Sequence, residues 1–203
     1  SFSMLVLEKD LSRPYEKIDM VTTPDGSLVA MVHCNNCTSD LNGWAGLFRE
    51  YQQLLGVPVD TDVLYTKLFE AADAGDPDCG GLVSYNYVAG EPVTGFSEGR
   101  PLFLRSATDR FNLPNFMRSI LYATVGVLKL GNDILLKDEA VKVDRITGHG
   151  GLFKTRGVGQ RVLAAALDSP ISVMETAGEG GAWGIALLER FLMPCPTIRV
   201  YSS

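Results

Sequence analysis

Apolar residues in the first part of the chain come in short runs separated by turn residues, not at helical spacing. Met4 to Leu7 is apolar and rich in β-formers, and Ile18 to Thr22 is a second short run. In a third, Ser27 to Cys34, Leu28, Ala30 and Val32 alternate with Val29, Met31 and His33. Pro24-Asp25-Gly26 lies between the last two runs. Proline presets its own φ and glycine accepts a positive one, so this tripeptide predicts a tight turn. The pattern reads as three antiparallel strands in sequence, the last two joined as a hairpin.

The period then changes. Thr38, Ser39 and Asp40 offer helix caps, and Trp44, Leu47, Phe48, Tyr51, Leu54 and Leu55 recur at offsets of three and four. They predict one apolar helix face, stopped by Gly56 and Pro58. Val63, Leu64, Lys67, Leu68 and Ala71 predict a second helix ending at Gly75. The stretch 76–109 is rich in Gly and Pro and keeps no period beyond a strand-like run from Leu82 to Tyr87. A segment of that length without its own periodicity reads as a functional loop or an insertion.

Asn112 as cap and Pro114 in the first turn open a long helix, with Phe116, Ile120, Leu121, Val127, Leu128, Ile134 and Leu135 at helical spacing. A short strand is predicted over 144–148, a helix through Val158, Val162, Leu163, Ala166 and Leu167, a buried strand over 171–174 and a helix over 183–192. The tail, 193–203, is left unassigned. Alternating β and α at the end implies parallel strands joined by crossover helices. With an antiparallel meander in front, this predicts an α/β domain of the ribonuclease-H-like kind, as in actin-like ATPases, with a mixed five-stranded sheet and flanking helices over residues 1–192.

Composition narrows the function. The 203 residues suit one domain with an insertion, and 46% hydrophobic with 21% charged residues is an ordinary globular balance. A net charge of −6 without basic clusters argues against nucleic acid as a partner. No apolar run reaches the length of a bilayer span, so no membrane role is expected. Four cysteines in a chain this long predict reduced thiols and a cytoplasmic location. Cys34 and Cys37 form a C-x-x-C after His33, but no second such pair exists and the only other histidine is His149. The pair therefore reads as buried thiols at a strand-to-loop junction ahead of a metal or redox site.

The strongest chemical signal is a glycine loop between strand and helix: Gly148-His149-Gly150-Gly151-Leu152-Phe153-Lys154-Thr155. Glycines after a strand let the backbone approach a ligand, and a helix start adds free N–H donors. The loop is neither G-x-G-x-x-G nor a P-loop, and alone a plain turn competes evenly with a nucleotide site. A second loop, Glu175 to Ala182, also follows a strand and precedes a helix. Two such loops at the ends of neighbouring parallel strands would face one crevice, where open α/β sheets bind ligands.

With these loops in view, the chain resembles the C-terminal domain of the FGGY carbohydrate kinases, and looks most like the xylulokinase and ribulokinase types. The resemblance lies in the hairpin entry, Asn36 to Phe48, the Tyr87-Val88-Ala89-Gly90-Glu91-Pro92 stretch, the long helix after Arg110, Gly150 to Thr155, and Glu175 to Leu188. Gly90-Glu91 is similar to that family's tyrosine–x–x–Gly–Glu–Arg element, with Pro92 in the place of the Arg. The resemblance implies ATP with Mg²⁺, and a nucleotide site in which Gly150 and Gly151 lie against adenine and ribose. Leu152 would line that pocket, Thr155 would sit near the base, and Gly178, Gly180 and Gly181 would shape the far wall. It also implies that the sugar site, a phosphate-binding Asp-Gly-Thr turn, a second Gly-Thr turn and the aspartate base lie outside these residues. The chain alone is then expected to hold no catalytic residue and no metal ligand, and to be inactive. The sugar is not legible, and a homodimer is left open. The competing reading is an actin-like ATPase domain with a regulatory or scaffolding role. A third, a binding module, would need exposed apolar surface around Trp44 or Phe48.

Overall fold

A computed structural model describes residues 1–175, 178 and 180–192. The tail left unassigned above, and Thr176, Ala177 and Glu179 of the second glycine loop, lie outside the described residues. The order is β1 (Phe2–Val6), β2 (Asp19–Thr22), β3 (Leu28–His33), α1 (Ser39–Leu54), α2 (Thr61–Asp73), β4 (Val83–Tyr85), β5 (Leu102–Leu104), α3 (Leu113–Asp133), β6 (Ile146–Gly148), α4 (Val158–Leu167), β7 (Ile171–Val173) and α5 (Gly180–Leu192).

The chain is α/β as expected, but the single five-stranded mixed sheet is a correction. Among the described residues the strands form a three-stranded antiparallel sheet in the order β1-β3-β2 and two separate pairs, β4 with β5 and β6 with β7. The meander is corrected too, because β3 sits in the middle and pairs with both β1 and β2. The reason lies in burial. Ala30 and Val32 of β3 are fully buried, so β3 is the strand that belongs at the centre, and the long link between β1 and β2 carries the chain around it. The turn before β3 forms as read: Gly26 has φ +90°, and its N–H donates to the Thr23 carbonyl at 2.9 Å.

The long helix α3 is the spine. Asn112 accepts from the Asn115 N–H at 2.9 Å, and Pro114 sits in the first turn, where no donor is lost. Met117, Ile120 and Leu121 are buried almost completely against the neighbouring helices. Gly131 lies directly under Val32, which sets how closely α3 approaches β3. The helix runs on through a π-type turn over Ile134–Asp138. By length and composition, Leu113–Asp138 is the one helix among the described residues that could cross a membrane, yet 56% of its apolar window is buried inside the protein.

Glu139, just after that turn, ties the 8–18 loop to the spine. It accepts from the Ser12 N–H at 2.9 Å and the Tyr15 hydroxyl at 2.6 Å. Hydrogen bonds from the Ser12 side chain and from Tyr15 lower its pKa from 4.5 to about 2. A carboxyl depressed on folding adds stability above its unfolded pKa and loses it as pH falls through the folded one. The difference in urea midpoint between the natural protein and E139Q is therefore expected to be largest above pH 4.5 and to shrink towards pH 2. A difference that stays constant across that range would refute this.

The segment 76–109 is ordered. Asn115 closes its base: Oδ1 accepts from the Asp76 N–H at 2.7 Å, while Nδ2 donates to Asp76 Oδ2 at 2.8 Å and to the Arg110 carbonyl at 2.9 Å. Arg110 adds an ion pair to Asp76 at 2.8 Å. Within the segment, the β4–β5 pairing aligns Val83 with Leu104 and Tyr85 with Leu102.

On α1 the apolar face is rotated from the expected one. Leu41 and Ala45 are buried, Trp44 and Phe48 are half-buried, and Leu47, Tyr51, Leu54 and Leu55 are exposed. The rings of Trp44 and Phe48 meet Phe116 edge-on, with centroids 4.9 and 6.2 Å away. Both aromatics therefore belong to the core, not to a free patch.

Candidate functional site

Strands β6 and β7 run parallel, with Thr147 beside Ser172 and Gly148 beside Val173. α4 makes the crossover between them. Both glycine loops therefore leave from the same end of one strand pair. They also come close: a methyl group added at Gly178 would lie 3.7 Å from Cε of Lys154. Gly180 begins α5, a 13-residue helix whose start sits beside that contact.

The first loop has two kinds of glycine. Gly150 has φ +108° and ψ −179°, a conformation in which side chains are strained. Gly151 needs no positive φ, and a Cβ there meets nothing within 4 Å. Gly148 is different again, since the Phe153 ring packs over it and leaves no room for a side chain. Leu152 is half-buried and packs against Gly159 of α4, while Thr155 is 8% exposed.

This loop forms one wall of a cavity of about 870 Å³. Gly150, Gly151, Leu152 and Thr155 line it, with Lys154 at the mouth opposite Asp62 of α2 at 3.9 Å. Both of those charges are exposed, so the pair holds the mouth only weakly. Gly178 stands next to Lys154, but neither it nor Gly181 is among the residues that line the cavity. Gly181 has open space around it. Lys154, the link between the two loops, was not singled out from sequence for that role, since the contact depends on β6 and β7 lying side by side.

The cavity floor includes Cys37. Cys34, Cys37 and Cys79 are free and buried. A hydrogen bond from the Cys34 thiol holds the Cys37 thiol down at about 6, and the same bond pushes that of Cys34 up. Among the described residues no three His, Cys, Asp or Glu side chains converge as metal ligands. Of the two residues between Cys34 and Cys37, Asn36 is fully buried and reads as structural. Its Oδ1 accepts from the N–H groups of Val88 and Ala89 at 2.9 and 3.0 Å. Glu91, also fully buried, accepts on Oε2 from the Asn35 N–H at 3.0 Å, the Asn36 N–H at 2.9 Å and Asn36 Nδ2 at 3.1 Å. The Gly90-Glu91 element thus braces the link from β3 to α1, whose first residues border the cavity.

A family model described as the FGGY family of carbohydrate kinases, C-terminal domain, matches residues 1–192. The chain belongs to this family. The fold of this FGGY domain is also that of solved kinases. The xylulose kinase of Lactobacillus acidophilus superposes with a TM-score of 0.68 at 16% identity, covering 93% of this chain and 36% of that one. That of Rhodospirillum rubrum gives 0.66 at 17% identity, covering 95% and 37%. Plasmodium falciparum glycerol kinase, solved with ADP, gives 0.59 at 15% identity, covering 96% and 37%. The FGGY domain therefore spans little more than a third of the length of these kinases. No curated protein matches the chain.

Proposed function

We propose that this FGGY domain is the nucleotide-binding half of an ATP-dependent sugar kinase, acting on a pentulose, with the sugar site and the proton-accepting carboxylate supplied from outside residues 1–203. The observation that carries the reading is the meeting of the two glycine loops at one end of β6 and β7. Adenosine is placed between them, with Gly150, Gly151 and Leu152 on one side and Gly178, Gly180 and Gly181 on the other. Thr155 is assigned to the base, and Lys154 lies where a phosphate chain would pass. The start of α5 adds backbone donors and a partial positive charge on the same side. The ADP named with the Plasmodium falciparum glycerol kinase supports a nucleotide of this class.

In such a kinase, catalysis is positioning plus charge neutralisation of the transferred phosphoryl group. The domain's share is to hold the nucleotide and exclude water from one side. Its described residues offer no metal cage, and among them Asp62 is the only carboxylate that lines the cavity. Mg²⁺ would then arrive on the nucleotide phosphates, as that ion commonly does. The free, buried thiols fit the reducing cytoplasm in which we place the protein.

Titration calorimetry of residues 1–203 with ATP and Mg²⁺ tests this reading. Weak binding is expected, with a Kd of about 1 mM or above, because half of the contacts are missing. G151V should abolish it while leaving the melting temperature unchanged, since the new side chain enters open space. No pentulose phosphorylation is expected from these residues alone. Binding unaffected by G151V would remove the site assignment, and turnover by residues 1–203 would remove the division of labour.

A further inference from the structure

Cys34 and Cys37 sit on the link between β3 and α1, and that link is held along its whole length. The Cys34 N–H donates to the Ser1 carbonyl at 2.8 Å. The N–H groups of Asn35 and Asn36 both donate to Glu91 Oε2, at 3.0 and 2.9 Å. Asn86 Nδ2 donates to the Cys37 carbonyl at 3.0 Å. Ser1, Asn86 and Glu91 thus fix four consecutive residues. Two cysteines can be bridged only where the backbone brings their side chains together. Here it does, since the Cys34 thiol donates to that of Cys37.

The two thiols differ in access. Cys37 lines the cavity of about 870 Å³, whereas Cys34 lies behind it, 1% exposed and no part of the cavity wall. Cys79 is buried as well and does not line this cavity. Spacing alone favoured inert thiols for the C-x-x-C pair. The cavity beside Cys37 is what the spacing does not show.

They differ in chemistry too. The thiolate is the nucleophile, and a thiol gains that character beside a donor or at a helix start. Cys37 has both. Cys34 supplies the donor, and Cys37 directly precedes Thr38, the cap residue of α1, whose side chain makes no capping bond. The N–H groups of the first turn therefore keep their partial positive charge. Asp40, the acidic residue of that turn, is engaged by Trp44 Nε1 at 3.3 Å. On the other thiol, the bond to Cys37, burial, the Cys37 charge and that of Glu91 all keep the proton on Cys34.

We propose that Cys37 and Cys34 form a reversible dithiol site for small disulfides that enter the cavity, with Cys37 as the attacking and Cys34 as the resolving thiol. The Cys37 thiolate attacks one sulfur of the disulfide, whose S–S bond breaks as one thiolate leaves. This gives a mixed disulfide on Cys37, with its substituent in the cavity. Cys34 then attacks the Cys37 sulfur, its proton goes to the departing group, and the Cys34–Cys37 bond closes. Two electrons pass from the protein to the small disulfide, which leaves as one thiolate and one thiol. Excess thiol reverses both steps. The first step fills part of the cavity and the second clears it. The pinned link presents Cys34 to the sulfur that it must reach. The site needs only an open cavity, whatever the cavity binds.

Glutathione disulfide added to the reduced protein tests this, with quenched samples mapped by peptide mass spectrometry. Near neutral pH, Cys37 is expected to react at least about tenfold faster than Cys79. The end product should be a Cys34–Cys37 disulfide that dithiothreitol opens. In C34S the reaction should stop at a stable glutathionyl adduct on Cys37. In C37S, Cys34 should stay unmodified over the same time, because it does not reach the cavity. Equal rates at Cys37 and Cys79 would overturn the proposal. So would an adduct on Cys37 that persists in the natural sequence, or modification of Cys34 in C37S at the rate of Cys37. The natural sequence alone decides the matter if either variant fails to fold.

Discussion

Replacing Glu91 with alanine is expected to cost about 3–5 kcal/mol of folding stability, because it strands two backbone donors at about 1–3 kcal/mol each and removes a packed side chain. The side chain is fully buried, and one oxygen serves three donors, all from the link between β3 and α1. Truncation leaves the N–H groups of Asn35 and Asn36 facing an empty space. The Gly90-Glu91 element would then lose its hold on residues that border the cavity. Urea unfolding followed by tryptophan fluorescence measures the loss. E91Q keeps one oxygen, and Oε1 of the native side chain has no hydrogen-bond partner among the described residues, so its loss should be clearly smaller. A loss below about 1 kcal/mol for E91A, the worth of one ordinary hydrogen bond, would show that the brace is not needed.

G131A is expected to destabilise by about 1–3 kcal/mol, although alanine is the better helix former by about 1 kcal/mol. The added methyl would press into Val32, which is fully buried and stiff because it is β-branched. V32A alone leaves a cavity and should cost about 2 kcal/mol. The two changes occupy the same space, so the double variant should be at least ~1 kcal/mol more stable than the sum of the singles predicts. Strict additivity would mean that α3 does not meet β3 at this point. The cycle needs only the four unfolding curves.

Features encoded by neighbouring residues were legible in the sequence. Asn112 with Pro114, the Pro24-Asp25-Gly26 turn and the glycine loop after β6 each carry their signal within a few residues, and each formed where the pattern put it, whereas the last helix begins at Gly180, ahead of the expected Trp183. Features that depend on distant pairing were not. The order β1-β3-β2 and the split into small sheets are decided by which edges meet, and alternation along one strand says nothing about that. The rotated face of α1 has a similar cause. Spacing offered Leu47, Tyr51 and Leu54 equally with Trp44 and Phe48, and the position of Phe116, far along the chain, decided between them. Glu91 stands out in the sequence only through the family resemblance, because an acidic residue in a Gly/Pro-rich stretch gives no sign that it will be fully buried. The two loops of the candidate site were readable as loops. Their contact through Lys154 needed β6 and β7 side by side.

The knot of Asp76, Arg110 and Asn115 has a consequence for how such a domain can diverge. It clamps together two points 34 residues apart in the chain. Beyond that clamp, the enclosed stretch reaches back to the link between β3 and α1 through Asn36 and Glu91. Residues between these anchors can be gained or lost without altering the path of the spine on either side. Chain added there enlarges a closed loop whose entropic cost rises only with the logarithm of its length. Evolution could lengthen or trim this outcrop between its anchors while the spine and the braced link beside the cavity kept their shape.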